Sequence, residues 1–406
     1  MVRKSLIIVA SLGALVACAL ALFTAYAVHQ AGRSHDIPYP AVGADQSLEG
    51  VARGAAIFHA GCEVCHRPTT GERASGAPLA DAPAWLGTLH AANITSHPVA
   101  GIGALSDAAI ARVIRYGVDR HGHWVPMPTY AMSDADLAAV IGYLRSSDPL
   151  FQPDPLPTPR SALSLAGKLA LAAAGALTPP QRDVSIQAPV RAPSADYGRY
   201  LAESVYQCGD CHTAGFESDK THGPDAYSGG AEAKDAAGQT VYSPNLTPDP
   251  ETGLGRWTRD QFARAIGDGV RPDGTALGYP MPHFRGADAV DIDALFAHLR
   301  SLPAKVQPRG HRALSLATPA TAASDPAQQF EALGCVSCHG QGARYEAKLS
   351  GANTKQVTDL ARWIRNPEQF IPGTSMPTFA AVLDQAAAER LAEWIKQGGA
   401  ARRSGS

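Results

Sequence analysis

Charge is scarce in this chain. Asp, Glu, Lys and Arg make up 18% of its 406 residues and leave a net charge of −2. No basic stripe interleaved with aromatics is present, so nothing equips the chain to hold nucleic acid. It has no glycine-rich phosphate loop, no nucleotide fingerprint and no nucleophile–base pair. Strand-like alternation is almost absent, which excludes a large sheet. Methionine is rare too: Met1, Met127, Met132, Met281 and Met376 are all there are.

Cysteine is nearly confined to one pattern. Six of the seven occur as Cys62-Glu-Val-Cys65-His66, Cys208-Gly-Asp-Cys211-His212 and Cys335-Val-Ser-Cys338-His339. Cys-x-x-Cys-His is the covalent attachment signal of c-type haem. The two thiols add across the haem vinyl groups, and the adjacent histidine becomes the proximal iron ligand. The reading is three covalently bound haems c. A structural zinc site usually needs two Cys-x-x-Cys pairs, or one pair and a distant histidine pair, and gives no reason for a histidine after every second cysteine. The six motif cysteines are expected as thioethers, not disulfides. Haem of this type is attached outside the cytoplasm, and the body belongs there.

A methionine follows each motif and precedes a proline, as Met127-Pro128, Met281-Pro282 and Met376-Pro377. A thioether is a natural sixth ligand for an electron-transferring haem and raises its potential. Proline stiffens the ligand loop. The expected ligand pairs are His66/Met127, His212/Met281 and His339/Met376. Met132 competes with Met127, which shares the Pro-Met-Pro context of Met281.

At the N-terminus, Arg3 and Lys4 precede an apolar run from Leu6 to Val28. It is long enough to span a bilayer, and the leading charges keep the N-terminus cytoplasmic. Residues 1–30 are therefore expected as an anchor or signal segment. The haem domains would lie on the periplasmic side of a bacterial inner membrane. Two other fates stay open: cleavage after Ala25-Tyr26-Ala27, or lipidation of Cys18 in Leu15-Val16-Ala17-Cys18.

An internal repeat organises the middle. Residues 93–122 align without a gap to 245–274. Asn93, Thr95, Pro98, Gly101, Gly103, Arg112, Ile114, Gly117, Val118 and Gly122 each meet the same residue type in the second copy. The shared Asn-x-Thr has two readings: donors to haem propionates, or turn and cap chemistry. Helical spacing is read in Leu137, Ile141 and Leu144 after the cap cluster Ser133–Asp136, and in Leu295 and Leu299 after Asp291. It recurs in Val357, Leu360 and Ile364 before Pro367, and in Leu391, Trp394 and Ile395. The fold is expected to be all-α, with three class I-like cytochrome c domains in tandem at 45–150, 194–303 and 326–400. Linkers would occupy 151–193, with a short apolar helix that packs between domains or against a membrane or partner, and 304–325.

The layout resembles the three-haem cytochrome c subunit of bacterial membrane-bound alcohol, aldehyde and gluconate dehydrogenases. The residues that carry this are the segment entering Cys208, the two Asn-x-Thr…Met-Pro repeats and the haem-motif spacing. The third unit differs. Leu360-Ala361-Arg362-Trp363-Ile364-Arg365-Asn366-Pro367 and Pro372-Gly373-Thr374-Ser375-Met376-Pro377 look like the cytochrome c domain of haem–copper oxidase subunits. The resemblance implies an electron-transfer subunit rather than an enzyme. Its partners would be a dehydrogenase catalytic subunit and quinone or a terminal oxidase. Service as donor subunit of an oxidase complex is one alternative, and a multihaem peroxidase is another.

Overall fold

A computed structural model describes residues 2–68, 71–79, 81–215, 222–307, 310 and 325–399. Most of the expected 304–325 linker lies outside these residues. The chain opens with one long helix, α1 (Val2–Gly32). Its stretch Ala10–Gly32 is long and apolar enough to cross a membrane. The following chain is tied to the body: the His35 amide donates to Gly122 O at 2.8 Å. Arg112 donates to His35 O at 3.0 Å and stacks over the Tyr39 ring at 4.6 Å.

The first unit comprises α2 (Leu48–Gly61), α3 (Glu63–His66), α4 (Asp107–Tyr116) and α5 (Asp134–Leu144). Ser47, Ser106 and Ser133 cap α2, α4 and α5 by accepting amides of their first turns. Next comes α6 (Leu165–Ala173). It packs on α1 and on residues 84–86.

The second unit holds α7 (Ala195–Tyr200), α8 (Cys208–Cys211), α9 (Arg259–Gly267) and α10 (Ala289–Ser301). Asp288, not Asp291, caps α10; Asp291 lies buried in its first turn. The third has α11 (Pro326–Ala332), α12 (Cys335–His339), α13 (Val357–Arg365) and α14 (Gln385–Lys396). The described strands are short: β1 (Gly87–Thr88) pairs antiparallel with β2 (Ala162–Leu163), and β3 (Glu232–Lys234) with β4 (Thr240–Tyr242).

Each of the first two units is built on a tight helix crossing. A Cβ on Gly54 of α2 would stand 2.0 Å from Ala139 O of α5, and one on Gly198 of α7 1.8 Å from Ala294 O of α10. Only glycine permits either approach. Between Gly198 and Cys208 the second unit holds two more residues than the first does between Gly54 and Cys62. A π-helical turn at Leu201–Val205 helps to absorb them, with the Tyr206 amide on Leu201 O.

The described residues build two hydrophobic cores, not three. Phe58, Leu137, Ile141 and Phe151 of the first unit and Leu201, Val205, Leu295 and Leu299 of the second belong to one buried cluster. Leu333, Leu360, Phe379, Leu391 and Ile395 of the third unit form the other, together with Val270 of the second. Polar groups also cross the first seam. Arg53 on α2 pairs with Asp136 of its own unit at 2.7 Å and with Asp291 of the second unit.

Candidate haem-attachment sites

Each Cys-x-x-Cys-His motif is a short helical turn directly behind a longer helix: α2 runs into α3, α7 and the π turn into α8, and α11 into α12. The helix axis fixes where the turn starts. The turn then brings the two cysteines of each motif within electrostatic reach of each other. None of the six motif cysteines is paired in a disulfide. Burial pushes the Cys62, Cys208 and Cys335 thiols up to about 12, and it also raises Cys65 and Cys338. Among the described residues no three His, Cys, Asp or Glu side chains converge as a site for a bare metal ion.

The three histidines share one arrangement. His66 Nδ1 lies 2.8 Å from Ala92 O, His212 Nδ1 2.8 Å from Pro244 O and His339 Nδ1 3.1 Å from Tyr345 O. A carbonyl accepts, so Nδ1 must carry the proton and Nε2 presents its lone pair. Burial lowers all three histidines below their ordinary pKa, so each is neutral at pH 7. A neutral imidazole with its far nitrogen held by a carbonyl is what an axial iron ligand requires. The donor set therefore fits covalent haem c: two thiols and one oriented imidazole per site.

Met127 and Met281 are half-buried against the shared core, and Met376 is half-buried against the second. Met132 is 1% exposed, locked in the core of the first two units. Arg285 of the second unit donates to Thr374 O and Met376 O and pairs with Glu368 at 2.6 Å, so it braces the third methionine loop. His283 is buried and engaged at both ring nitrogens, by Leu277 O at 3.0 Å and Arg285 at 3.1 Å. His121 and His123 are exposed.

The Asn-x-Thr pairs do turn chemistry. Asn93 Oδ1 accepts the Thr95 amide at 2.9 Å and hydroxyl at 2.7 Å; Asn245 Oδ1 accepts those of Thr247, both at 2.8 Å. The amide nitrogens of both asparagines donate to backbone carbonyls of the chain leaving each unit. All four side chains are buried at 3% exposure or less, and the asparagine donors are spent on protein acceptors. The propionate reading of these asparagines is set aside on that ground.

Sequence reasoning missed a junction of all three units. Tyr279, two residues before Met281, donates its hydroxyl to Asp81 of the first unit. Arg344, five residues after His339, stacks over the Tyr279 ring at 4.4 Å and reaches Asp81 at 3.4 Å. Beside it, Cys338 Sγ lies 3.4 Å from where a Cβ on Gly278 would stand. Tyr130 is within electrostatic reach of both earlier motifs: burial, then Cys62, Cys65, Asp210 and Cys211, push its phenol well up. No local pattern marks a contact among residues so far apart in the chain.

Comparison with known proteins agrees with this geometry. Residues 51–148 match the cytochrome c family, and residues 321–395 match cytochrome c oxidase, cbb3-type, subunit III. The alcohol dehydrogenase (quinone) cytochrome c subunit of Gluconacetobacter polyoxogenes is 28% identical, over 84% of this chain and 76% of that protein. The gluconate 2-dehydrogenase cytochrome c subunit of Pantoea cypripedii is 30% identical, over 66% of this chain and 63% of that protein. The fructose dehydrogenase cytochrome subunit of Gluconobacter japonicus is 26% identical, over 73% and 65%. These relatives are named as cytochrome subunits, not catalytic ones. The chain is thus a homologue of the cytochrome c subunits of alcohol, gluconate and fructose dehydrogenases, with a cytochrome c domain and a cbb3-type subunit III domain.

Proposed function

We propose that the chain is a three-haem electron relay. It takes electrons from a dehydrogenase catalytic subunit on the periplasmic side of the inner membrane and passes them to quinone or a terminal oxidase. The carrying observation is the threefold motif with its threefold Nδ1-to-carbonyl hydrogen bond. Bound haem supplies the one-electron chemistry, and the protein's part is placement and tuning. In this reading Cys62, Cys65, Cys208, Cys211, Cys335 and Cys338 carry the thioethers. The axial pairs are His66/Met127, His212/Met281 and His339/Met376, and the burial of Met132 favours Met127 as the first methionine. The Asp81–Tyr279–Arg344 junction keeps the third motif against the loops of the other two, as a relay needs. The apolar helix α1 would hold the relay beside its partners and raise their effective concentration.

A pyridine haemochrome assay should give three haems c per chain, all low-spin in the oxidised protein; fewer, or a high-spin component, defeats the ligand set. Met376→His should keep the third haem low-spin and lower its potential, because imidazole favours ferric iron more than a thioether does. An unchanged potential would remove Met376 from the ligand set. The purified chain should be reduced rapidly by a co-purifying dehydrogenase given its substrate. Enzyme-like turnover of peroxide by the chain alone would favour the peroxidase reading instead.

A further inference from the structure

The carbonyls that orient the first two proximal histidines belong to Ala92 and Pro244. Each is the residue immediately before the asparagine of an Asn-x-Thr turn. The asparagine closes that turn with its Oδ1, as described above. With its Nδ2 it reaches across the fold. Asn93 donates to Asp154 O at 3.0 Å and Leu156 O at 3.1 Å; Asn245 donates to Lys305 O at 2.5 Å and Thr252 Oγ1 at 2.8 Å. Asp154 and Lys305 both lie on the chain that leaves its unit, after α5 and after α10. The exit segment binds back: the Asp154 amide donates to Thr95 Oγ1 at 3.2 Å and the Lys305 amide to Thr247 Oγ1 at 3.0 Å. The histidine's own carbonyl is held nearby, by the Gly76 amide at 2.9 Å in one unit and the Gly229 amide at 2.8 Å in the other.

We infer that Asn93 and Asn245 are positioning residues for the proximal ligands, and that they couple each exit segment to its haem iron through one peptide carbonyl. The inference rests on the haem-ligand reading of His66 and His212. The physical chain is short. A carbonyl held square to Nδ1–H strengthens that hydrogen bond and makes the imidazole a more basic ligand. A more basic ligand favours ferric iron and lowers the potential. An asparagine with 3% exposure or less and four satisfied polar contacts is a stiff brace, because leaving any of those groups unmade costs free energy. The third unit has a different device. The acceptor for His339 is Tyr345 O, six residues on, and the Tyr345 amide returns to Cys338 O at 3.1 Å. That loop closes on itself without an Asn-x-Thr brace. The chain therefore holds two haem sites whose ligand fields answer to the segments after them, and one whose acceptor loop is closed locally.

The test uses the full haem-loaded chain in detergent, with individual haems followed by NMR during redox titration. Asn93→Ala should raise the potential of the first haem only, and Asn245→Ala that of the second only. The expected shift in the one-electron equilibrium is about threefold to tenfold; a tenfold change corresponds to about 59 mV. Asn→Asp keeps the turn acceptor but removes the Nδ2 donor, and should give a shift of the same sign. Unchanged potentials with three low-spin haems still bound would overturn the inference and leave the ligand assignment standing. So would an equal shift of all three haems, which marks general loosening. A haem count below three would instead defeat the ligand reading beneath it. Should the variants not assemble, the wild-type chain decides: the Nδ1–H protons of His66 and His212 should exchange with solvent more slowly than that of His339. Equal exchange at all three overturns it as well.

Discussion

The crossing of α2 on α5 and that of α7 on α10 are copies with different contents. Both depend on a glycine laid against an alanine carbonyl. In the first, the neighbour on α5 is Tyr143, whose hydroxyl reaches His59 Nε2 at 3.0 Å and Asp148 at 3.1 Å. In the second, His298 takes the equivalent place, against the Tyr227 ring, and its buried Nε2 has no partner among the described residues. Burial, then Arg199, lowers His298 to about 4. Duplication kept the backbone geometry, which glycine dictates, and left the side chains free to diverge in charge and hydrogen bonding. The two copies should therefore respond alike to steric insults and differently to acid.

The largest effect is expected where the copies meet. Arg53→Met would leave buried Asp136 without its cation and Asp291 with Arg191 alone, at a cost of about 3 kcal/mol. Denaturant unfolding should show that loss, with the first two units separating into distinct transitions. A retained single transition at wild-type stability would mean the seam does not depend on the Arg53 ion pairs. Next in size are Gly54→Ala and Gly198→Ala. Each forces a Cβ into a carbonyl, and each should cost about 2–3 kcal/mol; a large difference between them would break the claim that the crossings are equivalent. Acid should separate the copies. The folded state holds His298 neutral down to about pH 4, whereas the unfolded chain binds its proton near pH 6.5. That contribution is intact above pH 6.5 and is lost as pH falls toward 4, by roughly 2 kcal/mol at pH 5. His298→Tyr should flatten this part of the pH–stability curve, and Tyr143→Phe should leave it in place. Chemical melts at pH 7 and pH 5 for both variants decide the point.

Much of this molecule was readable without coordinates because its strongest signals are local. Cys-x-x-Cys-His is five consecutive residues, α5 and α13 follow their apolar spacing, and Pro367 stops α13 as a proline must. The repeat named Asn93 and Asn245 but could not say what they do, since their acceptors lie about sixty residues away on the exit segments. The shared core of the first two units escaped for the same reason. Leu201 and Leu137 carry no mark that they will share one core. The π turn before Cys208 is invisible to a helical period, being an irregularity in hydrogen bonding rather than in composition. The role of α6 stayed open among several readings because apolar residues do not say which apolar surface they will cover.

The seating of α1 has a mechanical consequence. A helix of 31 residues at 1.5 Å per residue is about 46 Å long, against a hydrocarbon thickness of about 30 Å. Its last turns are clasped by α6 and by the tie from His35 to the 121–123 loop, with Ala27 wholly enclosed. Were α1 to stay in a bilayer, such a joint would act as a mast rather than a tether. With the mast in a bilayer, the height and tilt of the cytochrome head above the lipid would be set, and rotation about the membrane normal would remain its main free motion. A partner in the same plane would then meet it at a constant elevation, and the search for a productive encounter shrinks from three dimensions to an angle and a distance.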